Sequence, residues 1–324
     1  MVRKSGQKEG LVDYLIKGCL IPLTIVCLTV VQSFAETHDF IQKLDALSKI
    51  KGSFTFAAIG DTRSGGDDYR VLVQRIMEYR PDFVVNTGDM VNFTNKTHWA
   101  KFSEESKAIS VPYFLTVGNH DVHDEKSEEL YKEQVDLPGN KLYYSFTVSD
   151  SLFIFLDSNI PGQDRKITGE QYKWLEQVLL TSSHTHKFVF VHHPLYPEKG
   201  IGWHYGGSLD KHPKERDRLQ TLFVKYKVTM VFTGHEHIYL RKKVDGVTHI
   251  ITGGGGALLY ADEAEGGFYH FILLTVDENQ VKGEVIDIKG NVKDTFQLYY
   301  QKAAYVSPMI YMDSSSQALL QLLP

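Results

Sequence analysis

The sequence predicts an α/β fold with a mixed sheet arrangement, and three observations predict it. From Phe54 onward, short β-branched and aromatic runs alternate with amphipathic stretches, the alternation that builds parallel strands covered on both faces. Beyond about Arg241 the apolar runs are separated by Asp245-Gly246, Asp277-Glu278-Asn279 and Lys289-Gly290-Asn291, the turn chemistry of antiparallel hairpins. The earlier runs also end in one recurrent way, on glycine followed by Asp, Asn or His.

Taken in order, residues 54–59 read as a strand ending at Gly60-Asp61. Residues 69–79 carry Val71, Leu72, Ile76 and Met77 at helical spacing, with Pro81 as a stop. Residues 82–87 form a second strand ending at Gly88-Asp89, 98–109 a helix, and 113–117 a third strand ending at Gly118-Asn119. Residues 152–156, 187–191 and 228–232 are further strands, and helices at 170–180 and 215–226 lie between them. Neither an internal repeat nor a low-complexity linker breaks the pattern. One domain over 36–300 is expected, followed by a tail, 301–324, to which the pattern assigns no role.

The chain has 324 residues, 23% charged and 42% hydrophobic, ordinary globular composition with enough length for a substantial core. The net charge of −5, without a polybasic run, argues against a nucleic-acid binder held by bulk positive charge. An anionic substrate must be drawn by a local positive site. The start of the chain differs from the rest. Arg3, Lys4, Lys8 and Lys17 lead into an apolar stretch from Cys19 to Val31, closed by Ser33-Phe34-Ala35. This reads as a secretory signal over 1–35, cut before Glu36. The stretch is shorter than the roughly 20 residues that span hydrocarbon. The protein is therefore expected to be exported, periplasmic or secreted, meeting the membrane only through that signal. Cleavage would remove Cys19 and Cys27, leaving no disulfide to help the core.

Five apolar strands end in Gly60-Asp61, Gly88-Asp89, Gly118-Asn119-His120-Asp121, His192-His193 and Gly234-His235-Glu236-His237. Ligands of α/β folds bind at the carboxyl ends of strands, so these residues point at one place. Asp, Asn and His suit hard and borderline ions. Two Asp, one Asn and three His exceed a closed four-ligand structural zinc site. They fit a dinuclear centre, where ions about 3.5–4 Å apart clamp a phosphate and activate water. Each motif alone is weak: Gly-Asp is commonly a turn, and His192-His193 before Pro194 can merely end a strand. The weight lies in their combination and order.

In that order the segments resemble the calcineurin-like metallophosphoesterases, a family that includes purple acid phosphatases and many bacterial phosphoesterases. The likeness covers about residues 54–256. It implies a four-layer α/β/β/α sandwich of two mixed sheets flanked by helices. It also implies that Asp89 bridges two ions of Fe, Mn or Zn, that Asp61 and His237 complete one site, and that Asn119, His192 and His235 complete the other. His120, oriented by Asp121, would sit beside the phosphate and stabilise the transition state or protonate the leaving group. Two positions depart from the family. Arg63 stands where many members have histidine, and Asn92 stands where purple acid phosphatases have tyrosine, so no purple colour is expected. Arg63 reads either as a bidentate phosphate ligand or as a loop arginine paired with a carboxylate. Asn92 reads as a neutral oxygen ligand or a loop support. His123, His193, His204 and His212 read as structural or surface residues before catalytic ones, and 203–207 as a substrate-side loop. The expected activity is hydrolysis of a small phosphomonoester by metal-activated water attacking phosphorus in line. Diester hydrolysis, or phosphate and metal binding without efficient catalysis, are the alternatives.

Overall fold

A computed structural model describes residues 39–300, apart from 64, 140, 202 and 203. The expected signal with Cys19 and Cys27, the 301–324 tail, and Trp203 of the expected substrate-side loop lie outside the described residues. In chain order the elements are α1 (Phe40–Ser48), β1 (Phe54–Ile59), α2 (Gly66–Glu78), β2 (Phe83–Asn86), α3 (Lys96–Ser106), β3 (Tyr113–Leu115) and α4 (Glu125–Gln134). They continue through β4 (Tyr144–Val148), β5 (Ser151–Leu156), α5 (Gly169–Thr181), β6 (His186–Val191), α6 (Pro213–Lys225) and β7 (Met230–Thr233). The last five strands are β8 (Tyr239–Val244), β9 (Val247–Thr252), β10 (His270–Val276), β11 (Gln280–Asp287) and β12 (Val292–Tyr299).

The strands form two six-stranded mixed sheets, ordered β12-β11-β10-β1-β2-β3 and β4-β5-β6-β7-β9-β8. Side-chain alternation decides what each face meets. In β1, Phe54, Phe56 and Ala58 enter the core between the sheets, while Ala57 and Ile59 face the helices. In β5, Phe153 and Phe155 turn inward and Leu152, Ile154 and Leu156 turn outward. β6 repeats this with Phe188 and Phe190 against Val189 and Val191. Aromatic faces thus meet between the sheets and aliphatic faces lie under helices. The Phe153 ring stands 5.3 Å edge-on from Phe56 of the opposite sheet and 5.0 Å from Phe188, spacings typical of favourable aromatic pairs. Outside the first sheet pack Tyr69, Leu72 and Ile76 of α2, Trp99 and Phe102 of α3 and Tyr131 of α4. Outside the second lie Tyr172, Leu175 and Leu179 of α5 and Leu219, Leu222 and Phe223 of α6. The result is the four-layer α/β/β/α sandwich.

All the expected strands and helices are present, with ends shifted by a few residues. The structure adds α1, β4 and α4. α4 escaped the pattern because its sequence is largely charged and its inward face is Ser127 and Tyr131; a capping box between Asp124 and Ser127 starts it. The three late turns do form hairpins, but not of one sheet: β8–β9 edges the second sheet, and β10–β12 extend the first through β10 against β1.

Phe153 lies at the centre of the aromatic layer, so Phe153→Ala is expected to cost about 3–5 kcal/mol of stability. Chemical denaturation of the two proteins measures it. A loss of less than about 1 kcal/mol, the level of ordinary surface changes, would show that the layer tolerates a cavity there.

Candidate metal centre

The strand exits that carry the expected ligands are strained. Asp61, Asp89 and His235 hold φ of 56°, 57° and 68°, left-handed conformations that cost a non-glycine residue on the order of 1–3 kcal/mol. Main-chain hydrogen bonds hold the exits at Asp61 and Asp89. Asp61 N donates to Gly88 O at 2.9 Å and Arg63 N to Asp89 O at 3.0 Å, joining the exits of β1 and β2. On the other side, Gly255 N donates to Gly60 O at 2.8 Å and Ala257 N to Asp61 O at 3.0 Å. The β3 exit is pressed against them as well: a Cβ on Gly118 would stand 2.2 Å from Asp89 Oδ1, so only glycine lets the backbone pass there.

Asp121 ties these exits together. Its buried carboxylate accepts four amides: Asp89 N at 2.9 Å and Gly118 N at 2.8 Å on Oδ2, Met90 N at 2.9 Å and Val91 N at 3.1 Å on Oδ1. The residue is a positioning group for the β2 and β3 exits. The Thr94 hydroxyl adds a tie to the carbonyls of His120, at 2.9 Å, and Asp121.

Asp89 is the hub. Its Oδ1 accepts His120 N at 2.9 Å and lies 3.3 Å from His192 Nε2, and its Oδ2 is 4.0 Å from His120 Nε2. His192 Nδ1 faces the Thr87 carbonyl at 3.0 Å. A carbonyl only accepts, so Nδ1 carries a proton and Nε2 is the atom turned to the site. That Nε2 also lies 3.1 Å from Asn119 Oδ1. Burial disfavours charge on His192, but the Asp89 carboxylate outweighs it and pushes the pKa up to about 9. The converging oxygens thus call for a positive charge. His235 completes the group: Asp89, His192 and His235, all buried, bring ligand atoms within 4.8 Å of one another. Among the described residues His235 Nε2 has no hydrogen-bond partner, and an unsatisfied buried polar group costs about 1–3 kcal/mol. Coordination would remove that cost. These residues fit a divalent ion of the Mn, Fe or Zn class.

Asp61 and His237 lie on the other side. The buried Asp61 carboxylate accepts His235 N at 3.1 and 2.9 Å and approaches His237 Nε2 to 3.4 Å. His237 Nδ1 is bonded to the Leu258 carbonyl, so its Nε2 also presents a lone pair. Arg63 reaches between the two histidines of the cleft: Nη1 meets His120 Nε2, and Nη2 lies 3.1 Å from His237 Nε2 and 3.0 Å from Tyr260 Oη. Two imidazoles and a phenol hold the fork.

The structure therefore brings together Asp61, Arg63, Asp89, Asn119, His120, His192, His235 and His237. Asn92 takes part through its main-chain carbonyl, 2.8 Å from His120 Nδ1. His204 covers His235 at 4.1 Å between ring centres and donates its amide to Glu236 at 3.1 Å. His193 backs His235 and bonds Ser158 Oγ at 2.8 Å. His123 is exposed beside Asp124, and His212 sits at the start of α6. Tyr260 and Thr94 are new. Tyr260 stacks on His237 at 3.9 Å, yet it lies outside every motif and no spacing marked it. Thr94 lies only two residues past Asn92, but a lone threonine carries no signal.

Comparisons with known proteins bear on the family and the fold. The model of the family described as calcineurin-like phosphoesterase matches residues 54–239. A phosphoenolpyruvate phosphatase of Allium cepa is 29% identical over 230 residues, 62% of this chain and 45% of its own length. A protein of Arcobacter nitrofigilis named as a probable glycerophosphodiester phosphodiesterase is 30% identical over 206 residues, 61% of this chain and 71% of its own. Among solved structures, a purple acid phosphatase from yellow lupin seeds superposes with a TM-score of 0.63 over 77% of this chain and 54% of its own; at 21% identity the likeness is one of fold. The chain thus spans less than half the length of the onion enzyme.

Replacing Asp121 by Asn swaps an acceptor for a donor facing backbone N–H groups. Asp121→Asn is expected to cost about 1–3 kcal/mol and to lower metal content, read by thermal denaturation and elemental analysis. A variant of full stability and full metal content would remove Asp121 from the support of the site.

Proposed function

This chain belongs to the calcineurin-like phosphoesterase family, and from that premise we propose that it is a phosphoric ester hydrolase with a two-metal centre, acting on small phosphomonoesters. The observation that carries the reading is the buried trio Asp89, His192 and His235, with ligand atoms within 4.8 Å of one another and His235 Nε2 without a partner among the described residues. Asn119, His192, His235 and Asp89 would hold one ion, and Asp61, His237 and Asp89 the other. Bound there, the ions would neutralise charge developing on the phosphoryl oxygens and make an attacking water more acidic.

The residues of the chain supply the rest. Asp89 and Asp61 are held by backbone donors, so the ligand oxygens are preorganised before substrate arrives. Partly exposed His120 stands at the edge of the cleft. Its Nδ1 is anchored by the Asn92 carbonyl, which aims Nε2 into the site. Once Arg63 Nη1 leaves His120 Nε2, that nitrogen could take up a proton and pass it to the departing alkoxide, with Asp89 Oδ2 4.0 Å away to stabilise the imidazolium. Arg63, beside His120, is within reach of a phosphate held at the same cleft.

The similarity to the Arcobacter protein supports diester hydrolysis as the second reading. Purified protein supplied with Mn, Zn or Fe and tested on an aryl phosphate and a bis-aryl phosphate separates the two. Inactivity on both, with metal bound, would leave a phosphate- or metal-binding protein. The expected signal at 1–35 supports export; N-terminal sequencing of the exported protein should begin at Glu36, and an intact start would refute cleavage. Among the described residues no helix is long and apolar enough to cross a membrane.

Asp89→Ala is expected to abolish both metal loading and turnover, and undiminished turnover would sink the assignment. His120→Ala is expected to keep its metals and to lose about 10²–10⁴-fold in kcat on alkyl phosphates. The loss should be smaller on aryl phosphates, whose phenolates leave without a proton. An equal loss on both would exclude proton donation.

A further inference from the structure

The hydrogen bonds around His237 leave only one arrangement of protons. Nδ1 faces the Leu258 carbonyl, which can only accept, so Nδ1 carries the ring hydrogen. The Arg63 guanidinium can only donate. Nε2 of His237 therefore gives its one lone pair to Arg63 Nη2, at 3.1 Å. The other arm of the fork is engaged in the same way: His120 Nδ1 faces the Asn92 carbonyl, and His120 Nε2 receives Arg63 Nη1. Tyr260 steadies the guanidinium from a third side, its hydroxyl 3.0 Å from Nη2 and its ring stacked on His237.

A metal ion at the Asp61–His237 site would need that same Nε2 lone pair, at about 2.0–2.1 Å if zinc. One lone pair does not serve an ion and an N–H donor together, and a dication and a guanidinium so close repel each other. The other site has no such occupant. Among the described residues His235 Nε2 has no partner, and His192 Nε2 meets the oxygens of Asp89 and Asn119, where an ion displaces a proton rather than a side chain.

We propose that Arg63 and a metal ion exclude one another at His237, so that the two metal sites of this chain are unequal. The Asp89–Asn119–His192–His235 site holds no guanidinium for an ion to evict. The Asp61–His237 site loads only when the ion evicts the guanidinium, which then leaves both His237 and, through the shared fork, His120. The competition rests on the two-metal reading and adds to it that a side chain of the protein, rather than the ligand set alone, governs occupancy of the first site.

Titration of the metal-stripped full-length protein with Mn²⁺, followed by calorimetry and by elemental analysis of metal per chain, tests it. The native chain is expected to take one ion tightly and a second roughly ten- to hundredfold more weakly, the range set by loss of a hydrogen bond to a charged group. Arg63→Ala is expected to tighten the second ion about tenfold or more while leaving the first unchanged, and that unchanged first ion shows the variant to be folded. Arg63→His, which offers a lone pair in place of a donor, is expected to shift the second ion in the same direction. Two ions of matched affinity in the native chain, or a second ion still weak in Arg63→Ala, would overturn the competition while leaving the two-metal reading intact. Failure of either protein to bind any Mn²⁺ would overturn both.

Discussion

Burial of the Asp89 carboxylate is the constraint around which this molecule is arranged. A carboxylate taken out of water must be matched by hydrogen bonds and positive charge, or it shifts the local chemistry until it is. Here the match comes from the His120 amide, from His192 and from a backbone bent into the left-handed region at Asp61, Asp89 and His235. Asp61 and Asp89 are held by main-chain bonds to a neighbouring exit, and His235 by its amide on the Asp61 carboxylate. The strain is thus stored where several loops over-determine it, which is where strained backbone persists in folded proteins.

Such over-determination needs a rigid platform. The aromatic layer between the sheets provides it, because large flat side chains on Phe54, Phe56, Phe83, Phe153, Phe188 and Phe190 interlock across the interface. Exits of β1, β2 and β3 come from one sheet and those of β6 and β7 from the other. The ligand set is complete only when both sheets hold their spacing, so packing far from the cleft reaches the chemistry through geometry.

The cleft is suited to two sources of positive charge, the protein's own Arg63 and ions of the kind its ligands fit. They are not equivalent. A guanidinium is a donor fork that occupies lone pairs, whereas an ion gathers several lone pairs at one point. The cleft contains residues suited to each, and His237 faces both.

Much of this was readable along the chain. Short β-branched and aromatic runs located the strands, glycines before Asp61, Asp89, Asn119 and His235 marked their exits, and the residue types at those exits pointed to a metal centre. Turn pairs such as Asp245-Gly246 announced hairpins but not which sheet they would edge, since a turn specifies its two strands and nothing about the third. α4 stayed hidden because a helix lying on the surface with one buried aromatic has almost no apolar period. The partners of Arg63 lie 57, 174 and 197 residues away at His120, His237 and Tyr260, and Asn92 acts through a carbonyl that every residue possesses. Local pattern records how a chain alternates between water and core. Which distant atoms then share a lone pair follows from how two sheets close on each other, a matter of three-dimensional packing that no spacing along the chain encodes.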